Sequence, residues 1–450
     1  MRIDDTSLFA EVMKINNEGS KPVHHFCNLV FWIPSLSKTI KPTKLLEIDW
    51  VDDHELTYAP TITARLVIPA GDYAFDLYPY QKELEAKLSW IPIGEDTNAA
   101  VVSKPIELEH YYVVFQNPEK YGDLTVKTMG NNPTTRSNLN LSALIDDFTV
   151  QLIPKSVMAM SKQQIGGVIN NTTAGELLVT LLTEFTKKSQ IESKITFNGV
   201  NMVTPDNKSA FRQVVIPQNT KLVDLPHFIQ KTIGVYSSGM GYYYYHNEWW
   251  LYPCYSTDFQ QQKGKRLSVI VMPEARLAGI RRTYRETGDS AVILVTGQID
   301  MVDNTNKMQM TAGTGVRFAD ANALINRQYA TDGKISRKDN VTEINSVNRA
   351  KGINASPVAD KMLTTTPYNH YSNLSKMDCT AINLVWHNSN PDILHPGITA
   401  KVMYYSEGKV KELQGVLLKA HHYYSAEGKG ITLTRHVCIS ALTFLVRRDI

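Results

Sequence analysis

The sequence predicts a mainly β protein with an α+β middle region. Three observations predict it. Apolar and polar side chains alternate through the first hundred residues and again through the last fifty, which is the period of half-buried strands. Stretches of helical period, at 172–190 and 219–236, fall only between those two regions. Short turns of Asn-Pro and Glu-Gly-Lys type separate the alternating runs.

The bulk numbers fit a globular chain. With 450 residues, 43% hydrophobic and 20% charged, two to four domains are expected. Lys+Arg 47 against Asp+Glu 44 leaves a formal charge of +3, which excludes a nucleic-acid binder with a wide basic face. Tyrosine is the outlier, 22 residues against 13 Phe and 6 Trp. Its ring packs while its hydroxyl stays wet, so it suits half-buried strands and interfaces. Cys27, Cys254, Cys379 and Cys438 form no CxxC pair and read as reduced, mostly buried thiols. The acidic start lacks the basic and apolar regions of a signal peptide, and no apolar run has transmembrane length. A chain made soluble in a cytoplasm, without membrane insertion, is expected.

"LEIDWVDDHELTYAPTITARLVIP" alternates around a turn near Asp52-Asp53. "GDYAFDLYPYQKELEAKLSWIPIG" continues with Tyr73, Phe75 and Leu77, then Leu84, Ala86 and Leu88; "EHYYVVFQNPEKYG" adds a strand ended at Asn117-Pro118. Residues 25–116 thus read as one antiparallel sheet or barrel. Next, "TTAGELLVTLLTEFTKKSQ" carries Thr172 or Thr173 as cap, Glu176 at the capping-box position and an apolar face of Leu177, Leu178, Leu181, Leu182 and Phe185. A second helix, "NTKLVDLPHFIQKTIGVY", faces inward with Leu225, Phe228, Ile229 and Ile233 and closes at Gly234.

"MGYYYYHNEWWLYP" reads as a hairpin turning at His246-Asn247-Glu248, with Tyr243 and Tyr245 on one face and Trp249 or Trp250 opposite. Strand neighbours point to opposite sides, so its rings cannot form one platform, and packing against the two helices is the expected role. From Gln298 to Ser375 the chain is rich in Asn, Thr, Ser, Asp and Lys and reads as a polar excursion. The tail forms a three-strand meander on turns at 407–409 and 427–429. In its last strand Ile431, Leu433, Val437 and Ile439 share one face; Leu442, Phe444 and Val446 make the other apolar beyond Ser440.

Signals for chemistry are thin. "GTGVRF" puts Phe318 where a dinucleotide loop needs its third glycine, "EGKGIT" lacks phosphate-loop spacing, and "HELTY" is not HExxH. His24, His25 and Cys27, or His421 and His422, offer at most one ligand per strand face, so no metal site is expected. Asp52-Asp53 and Asp146-Asp147 read as turn or cap carboxylates; Arg281-Arg282 with Arg285, and Lys263-Lys265-Arg266, read as solvated charges. No nucleophile, base and oxyanion donor assemble, so no catalytic residue, no cofactor site and no enzyme are expected.

The order of parts resembles the baseplate hub proteins of contractile-tailed bacteriophages, the family that includes the central hub of T-even phages. "GDYAFDLYPYQKELEAKLSW" is similar to first-barrel strands of such hubs. "TAGELLVTLLTEF" through "RQVVIPQNTKLVDLPHFIQKTIGVYSSGMGYYYYHNEWWLYPCY" is similar to their middle domain. "ILHPGITAKVMYYSEGKVKELQGVLLKAHHYYSAEGKGITLTRHVCISALTFL" is similar to their closing barrel strands. The stretch 301–375 departs most from the layout. The resemblance implies two tail-tube-like antiparallel barrels with a helix-and-hairpin domain between them: residues 1–118 the first barrel, 119–265 the middle domain, 266–300 and 376–450 the second barrel, and 301–375 a polar insertion. It further implies a ring-shaped homotrimer in the virion baseplate that joins the hexameric tail tube protein to the trimeric central spike protein, among baseplate wedge proteins. DNA would pass through its lumen without specific binding. Tyr78, Tyr80, Trp249, Trp250, Tyr404 and Tyr405 are the expected subunit-interface residues. The competing readings are a carbohydrate-binding tail module built on Tyr242–Tyr255, a wall hydrolase fused to a tail part, and the hub part of a secretion or bacteriocin particle. For a secretion-system spike, a β-helix following in the same chain is the expected distinction.

Overall fold

The computed structural model describes residues 10, 12–15, 24–93, 106–116, 144–191, 196–257, 259, 264–277, 280, 282–297, 299, 376, 379–406, 408–427 and 435–447. These build a mainly β architecture. The first strands are β1 (His24–Ile33), β2 (Lys38–Ile40), β3 (Lys44–Asp53), β4 (Thr61–Pro69), β5 (Glu85–Ile93), β6 (Ile106–Phe115) and β7 (Leu144–Pro154). The last are β13 (Arg266–Val271), β14 (Tyr284–Thr287), β15 (Ser290–Val295), β16 (Cys379–His387), β17 (Thr399–Ser406), β18 (Lys409–Glu427) and β19 (Arg435–Arg447). Between them lie β8 to β12 and the helices described below.

The strand pairings close two circuits. One runs β3-β4-β7-β6-β5-β1-β19-β18 and back to β3, antiparallel throughout. The other runs β15-β13-β17-β18-β19-β16 and returns to β15 through the bridge Thr296↔Val385, with β14 added on β15. The 19-residue β18 belongs to both: its first half pairs with β17, its second half with β3. Each circuit holds its own core. Phe31, Leu66, Tyr73, Leu88 and Phe148 lie in the first; Val269, Ile293, Trp386, Val402 and Phe444 lie in the second. Burying side chains of this size gives about 1.5–3 kcal/mol each, so two cores of this kind dominate the stability. Contrary to the expectation of two antiparallel barrels, the second circuit is not antiparallel throughout: β13 pairs in parallel with β15 and β17, and its apolar side chains divide between the second core and the cluster around Val12 and Ile15. Val12 and Ile15, in a helical turn near the N-terminus, pack on the outward side chains Ile270, Leu294 and Met403.

Several expectations change. Residues 70–77 are a helical turn, not a strand: Tyr73 and Leu77 are four apart and both fully buried, while Phe75 is left exposed. A spacing of four fits both periods, and the core selects the helical one. The turn expected near Asp52-Asp53 follows β3 instead, and Asp53 caps it by accepting from the backbone N–H of Glu55 and Leu56 at 3.2 and 3.0 Å. The first circuit extends beyond residue 118, because β7 fills the gap between β4 and β6. In β19 the interior face is the other one: His436, Cys438 and Ser440 are buried in line with Leu442 and Phe444, while Val437 and Ile439 are half-buried on the outside. Ile431 and Leu433, Asn117-Pro118 and the insertion 301–375 lie outside the described residues.

The middle region is α1 (Lys155–Lys162), β8 (Gln164–Thr173), α2 (Ala174–Ile191), β9 (Gly199–Met202), β10 (Ala210–Lys221), α3 (Leu225–Thr232), β11 (Met240–Tyr245) and β12 (Glu248–Pro253). Thr173 starts α2 through a reciprocal capping box: its hydroxyl accepts from the Glu176 N–H at 3.3 Å, and the Glu176 carboxylate accepts from the Thr173 N–H at 3.1 Å. Leu177, Leu178 and Leu182 form its buried stripe. Pro226 opens α3, and Gly234, at φ +76°, closes it by donating to the Ile229 carbonyl. β8 and β10 form a two-stranded ribbon; β11, β12 and β9 form a small sheet.

Candidate functional site

The aromatic hairpin is fixed by its turn. His246 and Asn247 occupy the left-handed region at φ +49° and +62°, the geometry a two-residue antiparallel turn requires. The register then sets Tyr243 opposite Trp250 and Tyr244 opposite Trp249, and directly paired residues share a face. On one face Tyr244, Trp249 and Leu251 join the core of α2 and α3. The Trp249 indole donates to the Thr186 hydroxyl at 3.0 Å, and the Gln190 amide donates to the Tyr244 hydroxyl at 2.5 Å. On the other face Trp250 and Tyr252 pack with Val416 of β18, and Trp250 stacks on His395 at 4.9 Å. Tyr252 lies against two glycines: a Cβ on Gly241 would meet its ring at 2.5 Å, and one on Gly397 at 2.4 Å.

Both faces of the hairpin are therefore occupied. Trp249 is 0% exposed and Trp250 7%, which removes them as subunit-interface residues and removes the stacking platform that the Tyr242–Tyr255 module needs. The other four stand differently. Tyr78 and Tyr80 are half-buried on the first core, Tyr404 is half-buried on the second, and Tyr405 is 65% exposed.

A line of buried polar groups joins the hairpin to the strands shared by the two circuits. The Asp52 carboxylate accepts from the Tyr243 hydroxyl at 2.8 Å and from the Trp50 indole at 2.9 Å. His422 Nε2 lies 3.7 Å from Asp52, and its Nδ1 pairs with the Ser440 hydroxyl at 2.7 Å. Ser440 pairs in turn with the Ser389 hydroxyl at 2.6 Å. Burial pushes Asp52 up to about 6 and His422 down to about 3. His25 and His54 are likewise lowered to about 4 by burial; His25 Nε2 pairs with the Ser389 carbonyl and His54 Nδ1 with the Leu417 carbonyl, while His25 Nδ1 is buried without a partner among the described residues. Ser440, His422 and Asp52 are the residue types of a hydrolase triad, but all three are buried and Ser440 is already held by two partners. They serve as a satisfied polar tie through the core. The sequence hid this line because it joins three separate stretches of chain, around Asp52, Tyr243 and Ser389–Ser440.

The remaining candidates separate as strand alternation requires. His25 and Cys27 turn inward, whereas His24 lies 3.5 Å from Glu427 and His421 pairs with Asp49 at 2.5 Å. Among the described residues no three potential ligands converge on one point. Burial pushes the thiols of Cys254 and Cys438 up to about 12, so both are neutral. Arg282 donates to the Tyr284 carbonyl, and Lys265 pairs with Glu286. Arg281, Lys263 and the Asp146 side chain are outside the described residues. A half-open cleft of about 250 Å³ remains where the hairpin turn meets the first circuit.

Part of the chain is similar to a bacteriophage protein family. Residues 129–351 match the family described as Bacteriophage PBS1 gene 109 protein. The bacteriophage resemblance read from the sequence thus stands. No curated protein matches the chain. Among solved structures, the tail protein from Neisseria meningitidis is similar over 93% of this chain and 96% of its own, at 9% identity and a TM-score of 0.38. The 43 kDa tail protein of prophage MuSo2 from Shewanella oneidensis is similar over 93% and 98%, at 10% identity and 0.39. An E. coli component of the type VI secretion system, described as structurally similar to the T4 bacteriophage tail proteins gp27 and gp5, is similar over 96% and 75%, at 8% identity and 0.35.

Proposed function

We propose that this chain is a structural protein of a phage tail baseplate, and within it the hub. The supporting observation is the closure of two strand circuits in one chain, sharing β18 and β19. Read as tail-tube-like barrels, two per chain become six in a trimer, which matches sixfold symmetry on one side and threefold symmetry on the other. Such a homotrimer would join the tail tube protein to the central spike protein, contact wedge proteins at its rim and leave a lumen for genome ejection. The formal charge of +3 suits a wall past which DNA slides without sticking. The buried triad types and the satisfied polar line support a structural role over an enzymatic one. No described helix is long and apolar enough to cross a membrane. The working location is the virion baseplate, after synthesis in the host cytoplasm.

Tyr405, Tyr404, Tyr78 and Tyr80 are the proposed interface tyrosines. The test is co-assembly with the spike protein from the same genome, imaged by negative stain. Rings bearing an axial spike are the expected result; chains that form neither rings nor a spike complex would overturn the proposal.

A further inference from the structure

A larger cleft, about 510 Å³ and open to solvent, lies between the first turns of α2 and the segment 202–208 at the end of β9. Gly175 brings its walls together, because a Cβ there would meet Pro205 Cγ at 2.8 Å. Most of the polar lining is already engaged. Thr173 and Glu176 hold each other in the capping box. Asn207 donates to the carbonyls of Ile233 and Gly234 at 3.0 and 2.7 Å and accepts from the Ser209 N–H at 3.0 Å. What remains for an occupant is an apolar stretch, Val179, Met202 and Pro205, with the Lys208 ammonium beside it. Val179 is 38% exposed, and Lys208 makes no hydrogen bond or ion pair among the described residues. Such a lining suits an apolar side chain carried next to a carboxylate.

The same chain presents that combination elsewhere. Leu56 is 81% exposed, more than any other large apolar side chain among the described residues. Its turn is built to hold it out. Asp53 accepts from the N–H groups of Glu55 and Leu56, and the Thr57 N–H and hydroxyl both donate to the Asp53 carbonyl, at 3.0 and 2.9 Å. His54 is buried, with Nδ1 3.3 Å from the Leu417 carbonyl. Glu55 accepts from the Tyr255 hydroxyl at 3.3 Å and pairs with Lys376. A turn fixed in this way loses little freedom on docking.

We propose that Leu56 of one chain seats in this cleft of a second copy, against Val179, Met202 and Pro205. The inference rests on the ring reading above and assigns one of its contacts. The charges match on both walls: Glu55 meets Lys208 on the 202–208 side, and Lys376 meets Glu176 on the α2 side. Knob and cleft are different patches, so every chain gives one and receives one. Contacts of this head-to-tail kind close into a ring when the rotation between copies allows it.

The test is sedimentation of the full chain across a concentration series, wild type against L56D, K208E and E55K/K208E. L56D should raise the concentration of half-association about tenfold or more, as truncating a central interface residue does. K208E should raise it by a smaller factor, and the charge exchange E55K/K208E should restore it, a rescue that a loss of fold would not give. Leu56 is exposed, so urea unfolding of L56D should match wild type. L56C/V179C treated with a short bismaleimide should give linked species of up to three chains, beyond what either single variant gives. Association unchanged in L56D, or no linked chains in the double variant, would overturn this contact; wild-type rings would then leave the hub reading standing. A wild-type chain that never associates would fail both.

Discussion

Acid should weaken this fold along a calculable slope. His25, His54 and His422 are buried and His395 nearly so, and burial lowers His25, His54 and His395 to about 4 and His422 to about 3 from an ordinary value of 6.5. Below pH 6.5 the unfolded chain takes up four protons at these sites that the folded chain refuses, so stability falls as pH falls. Asp52 acts in the other direction: its carboxyl is raised from 3.8 to about 6, so from about 6 down to 3.8 the folded chain gains one proton that the unfolded chain does not. His246, lowered to about 4, and Asp392, raised to about 6, offset each other. The net difference is three protons. Each contributes about 1.4 kcal/mol per pH unit, so stability should drop by about 4 kcal/mol per unit between about pH 6 and 4. Two such units would remove about 8 kcal/mol, a large part of the roughly 5–15 kcal/mol typical of a folded protein. Urea unfolding followed by tryptophan fluorescence, repeated at several pH values across this window, measures the slope. His422→Asn removes one of the four sites and should reduce the slope by about a third, whatever it does to stability at neutral pH. A stability that stays flat, or rises, on acidification would refute the argument that these histidines are buried and neutral.

Three further outcomes follow from the packing. Trp249→Ala empties the contact between the hairpin and α2 and leaves the Thr186 hydroxyl without its donor, so it should cost about 3–5 kcal/mol in denaturant unfolding. Gly397→Ala sets a Cβ against the Tyr252 ring at a backbone φ of +69°, and should destabilise by about 1–3 kcal/mol on the same assay. Tyr405→Ser alters a side chain that is 65% exposed, so it should leave unfolding unchanged within about 0.5 kcal/mol while weakening self-association measured by sedimentation.

How much of this was legible in the sequence varied with the range of the interactions. The capping box at Thr173 and Glu176, the Gly234 stop and the hairpin pairing of β11 with β12 are local, and local signals carried them. The helical turn at Tyr73 misled because Tyr73 and Leu77 satisfy either period until the core decides. The inward face of β19 was unreadable because His436 and Ser440 look like solvent-facing residues. Their partners, the Leu45 carbonyl and the Ser389 hydroxyl, are brought by β3 and by the turn after β16. β7 was missed in the first circuit for the same reason: it follows a long gap in the alternating pattern, and only pairing with β4 and β6 places it. The cleft at the hairpin turn had no sequence signal at all. Its two sides come from residues 50 and 111 and from residues 198 and 245–247, which alternation and turn rules treat separately.

The most direct test of the hub proposal is the solution mass of the purified chain, by light scattering coupled to size exclusion, with class averages of the same peak. A mass of three chains, with averages showing a ring and a central hole, is the predicted result. A single chain at every concentration, and still single when the spike protein is added, would contradict it.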